Sequence, residues 1–108
     1  MSTFDTSKII EFPKAVEYSS DGIVSKRVLE KSTGNVSLFA FDKGQKLSEH
    51  SAPFDAMVQV LEGKGEIIIN KEQYILEAGQ TIIMPANIPH AVHAVERFKM
   101  LLTMIKGQ

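Results

Sequence analysis

The sequence predicts an all-β domain of two packed layers, and three observations support this prediction. From Ile23 onward, short runs rich in Val, Ile, Phe, Leu and Thr recur about every ten residues, separated by Gly, Asn, Pro or Asp. This spacing is typical of a sandwich or barrel. No stretch approaches the roughly 18 apolar residues that a membrane-spanning helix requires. The last run, Met100 to Ile105, is apolar on both faces and therefore indicates a strand that is covered on both sides.

One N-terminal segment precedes the first predicted strand. Residues Thr6 to Phe12 predict a single helical turn, capped by Thr6 or Ser7 and ending before Pro13. We interpret residues 1–22 as an arm that packs on a barrel of residues 23–108, because no linker or repeat divides the chain. The whole chain is therefore predicted to be one domain.

The first predicted strands, Ile23–Lys31 and Asn35–Asp42, flank Ser32-Thr33-Gly34. Glycine can take the positive φ angle of a tight reversal, so these two strands should form a hairpin. A three-strand meander is expected next. Its strands are Met57–Glu62, Glu66–Ile69 and Gln73–Glu77, with turns at Gly63-Lys64-Gly65 and Asn70-Lys71.

Three further runs complete the predicted strands: Thr81–Met84, Ala91–Val95 and Phe98–Ile105. The last of these has a second apolar face that the barrel interior does not need. Because monomers rarely leave large apolar patches exposed, we expect this face to meet a second copy of the chain. The sequence therefore predicts a homodimer.

Composition excludes several classes of function. Twelve basic and thirteen acidic residues among 108 give a formal charge of -1, so the chain lacks the basic stripe of a nucleic-acid-binding protein. The start of the chain has no basic segment followed by an apolar run, which favours a cytoplasmic protein without a membrane partner. The absence of cysteine excludes disulfides, thiol nucleophiles and thiolate metal ligands.

Two histidines lie in motifs about forty residues apart. His50 follows Gly44 by six residues, and Gly63 closes this first motif. The second motif runs from Gly79 through Pro85 to His90. Both spacings resemble the two motifs of the cupin superfamily, and the resemblance covers residues 44–94 with supporting strands on both sides. It implies a double-stranded β-helix, the jelly-roll barrel of cupins, of the small single-domain type 2 group.

The cupin resemblance also implies which residues carry chemistry. The family's first motif holds His-x-His and a glutamate, and its second holds Pro-x-Gly, a histidine and an asparagine. His50 and His90 match two of four metal ligands, whereas Ala52 and Ala56 stand in place of the second histidine and the glutamate. Asn87 replaces a glycine, which keeps the turn because asparagine tolerates the left-handed region.

Three other residues are candidates to complete the site. If Ala56 faces the cavity, strand alternation turns Gln59 away from it, but a bulge after Pro53 would bring Gln59 or Asp55 inward. His93 lies three residues after His90, which on a strand places it on the opposite face. We therefore predict His50 and His90 as the cavity pair, with Gln59 as a further ligand-binding candidate.

The resemblance leaves three functions open. The first is binding of a small molecule in a histidine-lined cavity. The second is a metal-dependent oxygenase or isomerase in which His50 and His90 hold Fe, Mn, Ni or Zn, although a metal normally needs three or more protein donors. The third is a metal-free isomerase or epimerase with one histidine as general base. A metal-free enzyme needs a second acid or base, for which Tyr18 and Tyr74 are the tyrosines available.

Overall fold

A computed structural model describes residues 4–106 of the chain and has an almost entirely β architecture. The elements are one short helix and eight strands: α1 (Phe12–Ala15), β1 (Ile23–Lys31), β2 (Gly34–Phe41), β3 (Lys46–His50), β4 (Phe54–Ile69), β5 (Glu72–Glu77), β6 (Thr81–Met84), β7 (His90–His93) and β8 (Phe98–Lys106). The predicted all-β fold is confirmed. Among the described residues, no helix has the length and apolar content to cross a membrane.

The strands form two antiparallel layers that share β4. The first layer, sheet A, has the order β1-β2-β8-β4-β6, and the second, sheet B, has the order β5-β4-β7-β3. The first half of β4 pairs in sheet A and its second half pairs in sheet B, with a register shift between Val60 and Glu62. Bulges bend a strand and increase its twist, which is how one strand serves both layers.

The passage of β4 between the sheets corrects the predicted meander, because Gly63-Lys64-Gly65 is not a turn. A Cβ atom on Gly63 would lie 1.9 Å from the backbone oxygen of Arg97. A Cβ on Gly65 would lie 2.6 Å from the ring of Phe98. Both glycines therefore allow β4 to cross closely over the start of β8. We call this region, residues 63–65 with Arg97 and Phe98, the crossover.

Both predicted hairpins form, but Gly34 does not supply the positive φ angle that we expected at the first of them. Ser32 and Thr33 join β1 to β2, with Lys31 paired to Gly34. Gly34 is not among the residues with positive φ, and its Cβ would lie 2.3 Å from the backbone oxygen of Met104. Close approach of β8 therefore requires this glycine. At the other hairpin, Asn70 and Lys71 have φ angles of 50° and 71°, as a tight two-residue reversal demands.

The helix prediction was wrong in position. Helix α1 begins at Phe12 and contains Pro13 in its first turn, whereas Thr6 and Ser7 lie in a turn in which Ser7 has a φ of 62°. Proline suits the first helical turn because its missing N–H has no intrahelical partner there. Pro13 therefore lies in the first turn of the helix, whereas we expected the helix to end before it.

Two apolar clusters hold these elements together. The larger lies between the sheets and contains Phe41 and Phe98, whose rings stack at 4.7 Å. The smaller lies on the outer face of sheet A, where Val16 of the N-terminal segment is fully buried against Leu38 and Ala40. Part of that outer face is therefore covered by the chain's own N-terminal segment.

A polar network fixes the N-terminal segment on sheet A. The hydroxyl of Tyr18 donates to Glu62 at 2.7 Å, and the ammonium of Lys99 donates to the backbone oxygen of Pro13. The guanidinium of Arg97 lies 4.4 Å from the ring centroid of Tyr18. Burial, followed by the hydrogen bond to Glu62, raises the pKa of Tyr18 well above its usual range. Tyr18 is therefore a neutral structural group.

Candidate functional site

Adjacent strands of sheet B bring the two motif histidines together. His50 ends β3 and His90 begins β7, and the two residues are direct cross-strand partners in the antiparallel register. A register shift lies between Leu47 and His50. Directly opposed residues on one face of an antiparallel pair have side chains within contact distance. Pairing of β3 with β7 therefore brings together two histidines that are forty positions apart in the sequence.

The loop before His90 is anchored on the chain at three points. The N–H of Ala86 donates to the carboxylate of Asp55 at 2.9 Å, and the N–H of Asn87 donates to the carbonyl of Ala52 at 2.8 Å. The carbonyl of Pro89 accepts from the N–H of Asn70 at 2.8 Å. These bonds hold the loop between β6 and β7 and so fix the direction in which His90 enters β7.

Asn87 takes the conformation predicted for it. Its φ angle is 65°, in the left-handed region where the family's motif has glycine. Asparagine is among the residues that tolerate this region best. The substitution therefore preserves the turn that precedes His90.

The imidazoles of His50 and His90 face each other through the same ring atom. Their Nε2 atoms are 3.2 Å apart, and the ring planes meet edge to face at 70° with centroids 4.4 Å apart. The Nδ1 atom of His50 lies 2.7 Å from the carbonyl oxygen of Ser48, and that of His90 lies 3.2 Å from the carbonyl oxygen of Ile88. Each ring is thus fixed by a carbonyl two residues earlier.

These carbonyl partners determine the tautomers. A carbonyl oxygen can only accept, so each Nδ1 must carry the proton of its ring. A neutral imidazole has one N–H, so its Nε2 atom then presents a lone pair. When both rings are neutral, two lone pairs face each other across 3.2 Å. The arrangement is favourable only when a proton, a metal ion or a hydrogen-bond donor lies between them.

The two histidines differ in their exposure to solvent. His90 is 7% exposed, whereas His50 is an exposed residue at the end of its strand. Burial lowers the pKa of His90 from its usual value, the hydrogen bond to Ile88 opposes this, and the neighbouring His50 lowers it further. His90 is therefore held toward its neutral form, and His50 is the solvent-facing member of the pair.

The structure does not bring the other candidates to the pair. Ala56, Val58 and Val60 are all buried on the inner face of β4, and Gln59 lies on its outer face between Leu101 and Thr81. The bulge in β4 comes after Gln59 rather than before it, so the parity is not reversed. Gln59 is thus placed away from the histidine pair.

Asp55 and His93 also have other positions. Asp55 is exposed on the outer side of β4 and positions the loop through Ala86. His93 lies on the opposite face of β7 from His90, with its Nδ1 atom 3.3 Å from the carboxylate of Glu66. Within residues 4–106, no group of three or more His, Asp or Glu side chains has a geometry that could hold a metal ion.

Neither tyrosine considered at the sequence level is placed beside the histidines. Tyr18 is bonded to Glu62, and Tyr74 donates to Glu72 at 3.0 Å. Sequence reasoning also missed the two carbonyls that fix the imidazoles, those of Ser48 and Ile88. No sequence signal identifies them, because every residue has a backbone carbonyl and only the local bend of the chain directs it toward a ring.

One family model matches most of the chain. Residues 37–106 match the model of the cupin domain. The chain belongs to the cupin family. The predicted jelly-roll barrel and the predicted membership of the cupin family are therefore confirmed. Membership of the family does not by itself assign an activity. No match was found among the curated proteins.

Solved structures include two similar chains. A conserved protein of unknown function from Streptococcus pyogenes is 39% identical, with a TM-score of 0.94 over 99% of this chain and 94% of that chain. A cupin 2 conserved barrel domain protein from Leptotrichia buccalis is 42% identical, with a TM-score of 0.85 over 87% of this chain. This cupin spans about half the length of the Leptotrichia protein, because the match covers 46% of that chain.

A more distant match is a salicylate 1,2-dioxygenase from Pseudaminobacter salicylatoxidans. It is 20% identical, with a TM-score of 0.72 over 78% of this chain and 26% of the dioxygenase. At this identity the likeness shows the shared barrel fold.

Proposed function

We propose that this cupin binds a small molecule at the His50–His90 pair and that the two Nε2 atoms are its recognition groups. One observation carries the proposal: the Nε2 atoms converge at 3.2 Å while both Nδ1 atoms are bonded to carbonyls. A buried polar atom without a complementary partner is unfavourable by roughly 1–3 kcal/mol. A ligand that supplies a proton or a positive centre removes this penalty.

A small carboxylic acid fits this requirement. One proton can lie between the two Nε2 atoms, which are 3.2 Å apart, and the pair then carries a positive charge. The charged pair attracts the carboxylate that remains when the acid gives up this proton, because opposite charges attract each other appreciably at a protein surface. The exposed position of His50 leaves the pair accessible to a ligand from solution.

Metal binding is a second candidate, favoured by the distance between the nitrogens. Two imidazoles bound to one tetrahedral ion at about 2.0–2.1 Å have their nitrogens roughly 3.3 Å apart, close to the observed 3.2 Å. Hydrogen bonds from Nδ1 to carbonyls are also typical of metal-binding histidines. With alanine at positions 52 and 56, however, the chain supplies only half of a tetrahedral shell. His50 and His90 would therefore hold an Fe, Mn, Ni or Zn ion together with a chelating ligand, and the ion would polarise that ligand.

Thermal unfolding with small carboxylates tests the first proposal. Chelator-treated protein is mixed with hydroxy, oxo and aromatic acids, and a ligand at a hundred times its Kd is expected to stabilise the fold by about 2.7 kcal/mol. For a domain of this size, that stabilisation raises Tm by roughly 10 °C or more. The shift should disappear in His50→Ala and His90→Ala.

The matched control for these variants is His93→Ala, which removes a histidine from the opposite face of β7. It should leave the ligand-induced shift unchanged. An equal shift in His50→Ala would show that the ligand binds elsewhere and would refute the proposal.

Repeating the titration without chelator separates the two candidates. If stabilisation requires both a divalent metal and a carboxylate, the second candidate is correct. If the carboxylate acts alone, the first candidate is correct. A metal that stabilises His50→Ala as strongly as the natural protein would contradict binding by the pair.

Cytoplasmic location, which the sequence predicts, is part of this proposal, because cytoplasmic metabolites include many small acids.

A further inference from the structure

Three short connections determine which strands of the two sheets lie opposite each other. Residues 42–45 join β2 to β3, residues 78–80 join β5 to β6, and residues 94–97 join β7 to β8. Each connection leads from one sheet into the other. Four extended residues span at most about 14 Å, and packed sheets are about 10 Å apart, so each connection joins strands that face each other. Strand β2 therefore faces β3, and β8 faces β7.

The inner face of β2 changes from apolar to polar along the strand. Phe39 and Phe41 belong to the large apolar cluster between the sheets. Asn35 and Ser37 precede them at intervals of two residues, so their side chains point into the same space. We call Asn35 and Ser37 together the polar end of β2. It lies at the end of the strand that is remote from the connection to β3.

Strand β4 fixes the level of the polar end of β2 relative to the histidine pair. In sheet A, the cross-strand row that contains Asn35 reaches β4 at Ala56. In sheet B, the row that contains His50 and His90 reaches β4 at Ile69. Ala56 and Ile69 lie seven and six residues from the start of the crossover, on either side of it. Because the two halves of β4 fold over each other at the crossover, these two rows face each other across the inter-sheet space.

The hydroxyl of Ser37 is buried without a partner from the protein. Ser37 is 6% exposed, and none of the side-chain hydrogen bonds within residues 4–106 involves its hydroxyl. In the same range, every fully enclosed polar side-chain atom has a partner. The hydroxyl of Ser37 therefore borders a space that water or a ligand can enter. Buried polar groups are nearly always hydrogen-bonded, so this hydroxyl requires a partner from solution.

The charges nearest to the polar end of β2 neutralise each other. On β1, Arg27 is the cross-strand partner of Ser37, and Glu30 is the partner of Asn35. The Nη1 atom of Arg27 lies 2.9 Å from the carboxylate of Glu30. A neutral ligand group therefore suits this position better than a second charge does. An amide and a hydroxyl can each donate and accept, which matches the hydroxyl group of a ligand.

We propose that Asn35 and Ser37 bind a hydroxyl group of the ligand whose carboxylate is held by His50 and His90, and that the ligand is a small hydroxy acid. This inference rests on the proposed function, because the histidine pair must first hold the carboxylate. The two facing rows then contact different groups of one molecule. Met104, the partner of Asn35 on β8, has a flexible side chain that can adjust to the length of the acid.

Calorimetric titration of the chelator-treated full chain tests the inference. The ligands are butanoate and the hydroxybutanoates that carry the hydroxyl group on the second, third or fourth carbon. At least one hydroxy acid should bind roughly tenfold more tightly than butanoate, as expected for one well-placed hydrogen bond. Ser37→Ala should reduce this preference to about twofold or less and leave the affinity for butanoate unchanged. Asn35→Ala should also reduce the preference.

The matched control is Ser32→Ala. Ser32 lies in the turn between β1 and β2 and is exposed, outside the inter-sheet space. This variant removes the same hydroxyl group and should keep the full preference for the hydroxy acid. Loss of the preference in Ser32→Ala as well would show that it does not come from the polar end of β2, and would overturn the inference.

Thermal unfolding without ligand provides a second test. Ser37→Ala removes a buried hydroxyl that has no partner from the protein, so its Tm should equal or exceed that of the natural protein. A marked decrease in Tm would show that the hydroxyl is bonded within the fold and would also overturn the inference.

The titrations separate failure of the inference from failure of the proposed function. If the acids bind through the histidine pair but the natural protein has no preference for a hydroxy acid, the inference is wrong and the proposed function stands. The same conclusion follows if Ser37→Ala and Asn35→Ala both keep the full preference. If no acid binds, or if His50→Ala binds butanoate as tightly as the natural protein does, the proposed function is wrong and the inference fails with it.

Discussion

The crossover and the histidine pair are opposite solutions to placing two chain segments close together. At the crossover, β4 passes over β8 so closely that Gly63 and Gly65 leave no room for a methyl group. At the histidine pair, β3 and β7 meet through two imidazoles whose Nε2 atoms lie 3.2 Å apart. The first region contributes packing and stability, and the second is the site at which we propose ligand recognition. The contrast indicates that stability and binding can be changed separately in this protein.

The largest expected effect is at the crossover. Gly63→Ala combines a φ of 79° with a contact of 1.9 Å to a backbone oxygen, which cannot rotate away. Strain from the left-handed backbone is about 1–2 kcal/mol and overpacking adds about 1–3 kcal/mol. We expect urea unfolding to show a loss of about 3 kcal/mol or more.

Gly44→Ala is the matched control for Gly63→Ala. Gly44 has a φ of 86°, but a Cβ there would meet no atom within 4 Å. It should lose only the strain, about 1–2 kcal/mol. Equal losses in the two variants would mean that backbone strain alone, and not the close approach of β8, requires Gly63.

Gly65→Ala should have an intermediate effect. Its Cβ would contact the ring of Phe98, which is a side chain but is fully buried and stacked on Phe41. Overpacking of a well-filled core typically reduces stability by about 1–3 kcal/mol. In urea unfolding, the Gly65→Ala, Phe98→Leu double variant should lose less stability than the sum of the losses of the two single variants. Losses that simply add would show that the ring of Phe98 is not the obstacle.

The two histidines should differ in their effect on stability. His90→Ala removes a buried ring and should reduce the free energy of unfolding by about 1–2 kcal/mol. His50→Ala changes an exposed residue and should alter it by no more than about 0.5 kcal/mol. Both variants should nevertheless lose ligand binding equally. A His50→Ala variant as unstable as His90→Ala would indicate that the pair is structural.

The smallest expected effect is the pH dependence contributed by His90. Its pKa is lowered in the folded protein relative to about 6.5 in the unfolded chain. The unfolded state therefore binds more protons below that value, so stability is greatest above about pH 6.5 and falls as the pH decreases toward the folded pKa. The fall in Tm between pH 7.5 and 5.5, measured with chelator present, should be smaller in His90→Gln. An equal fall in both proteins would exclude His90 as its cause.

Particular residues show how far sequence reasoning reached. Alternation predicted that Gln59 turns away from the face of β4 that Ala56 occupies, because residues three apart on a strand point to opposite sides. Motif spacing predicted that His50 and His90 are neighbours. The conformation of Asn87 followed from the backbone preference of asparagine.

What the sequence by itself determined was local: most of the strands, although not β3 or the continuity of β4, and where asparagine permits a reversal. Only the tertiary structure decided that Gly63 and Gly65 make room for Phe98 instead of forming a turn, because a glycine looks the same in both roles until the opposing strand is known. It also decided which nitrogens of His50 and His90 are free, since this depends on where the carbonyls of Ser48 and Ile88 point. Both features depend on which atoms lie opposite a residue, and the pairing of strands in the folded protein determines this.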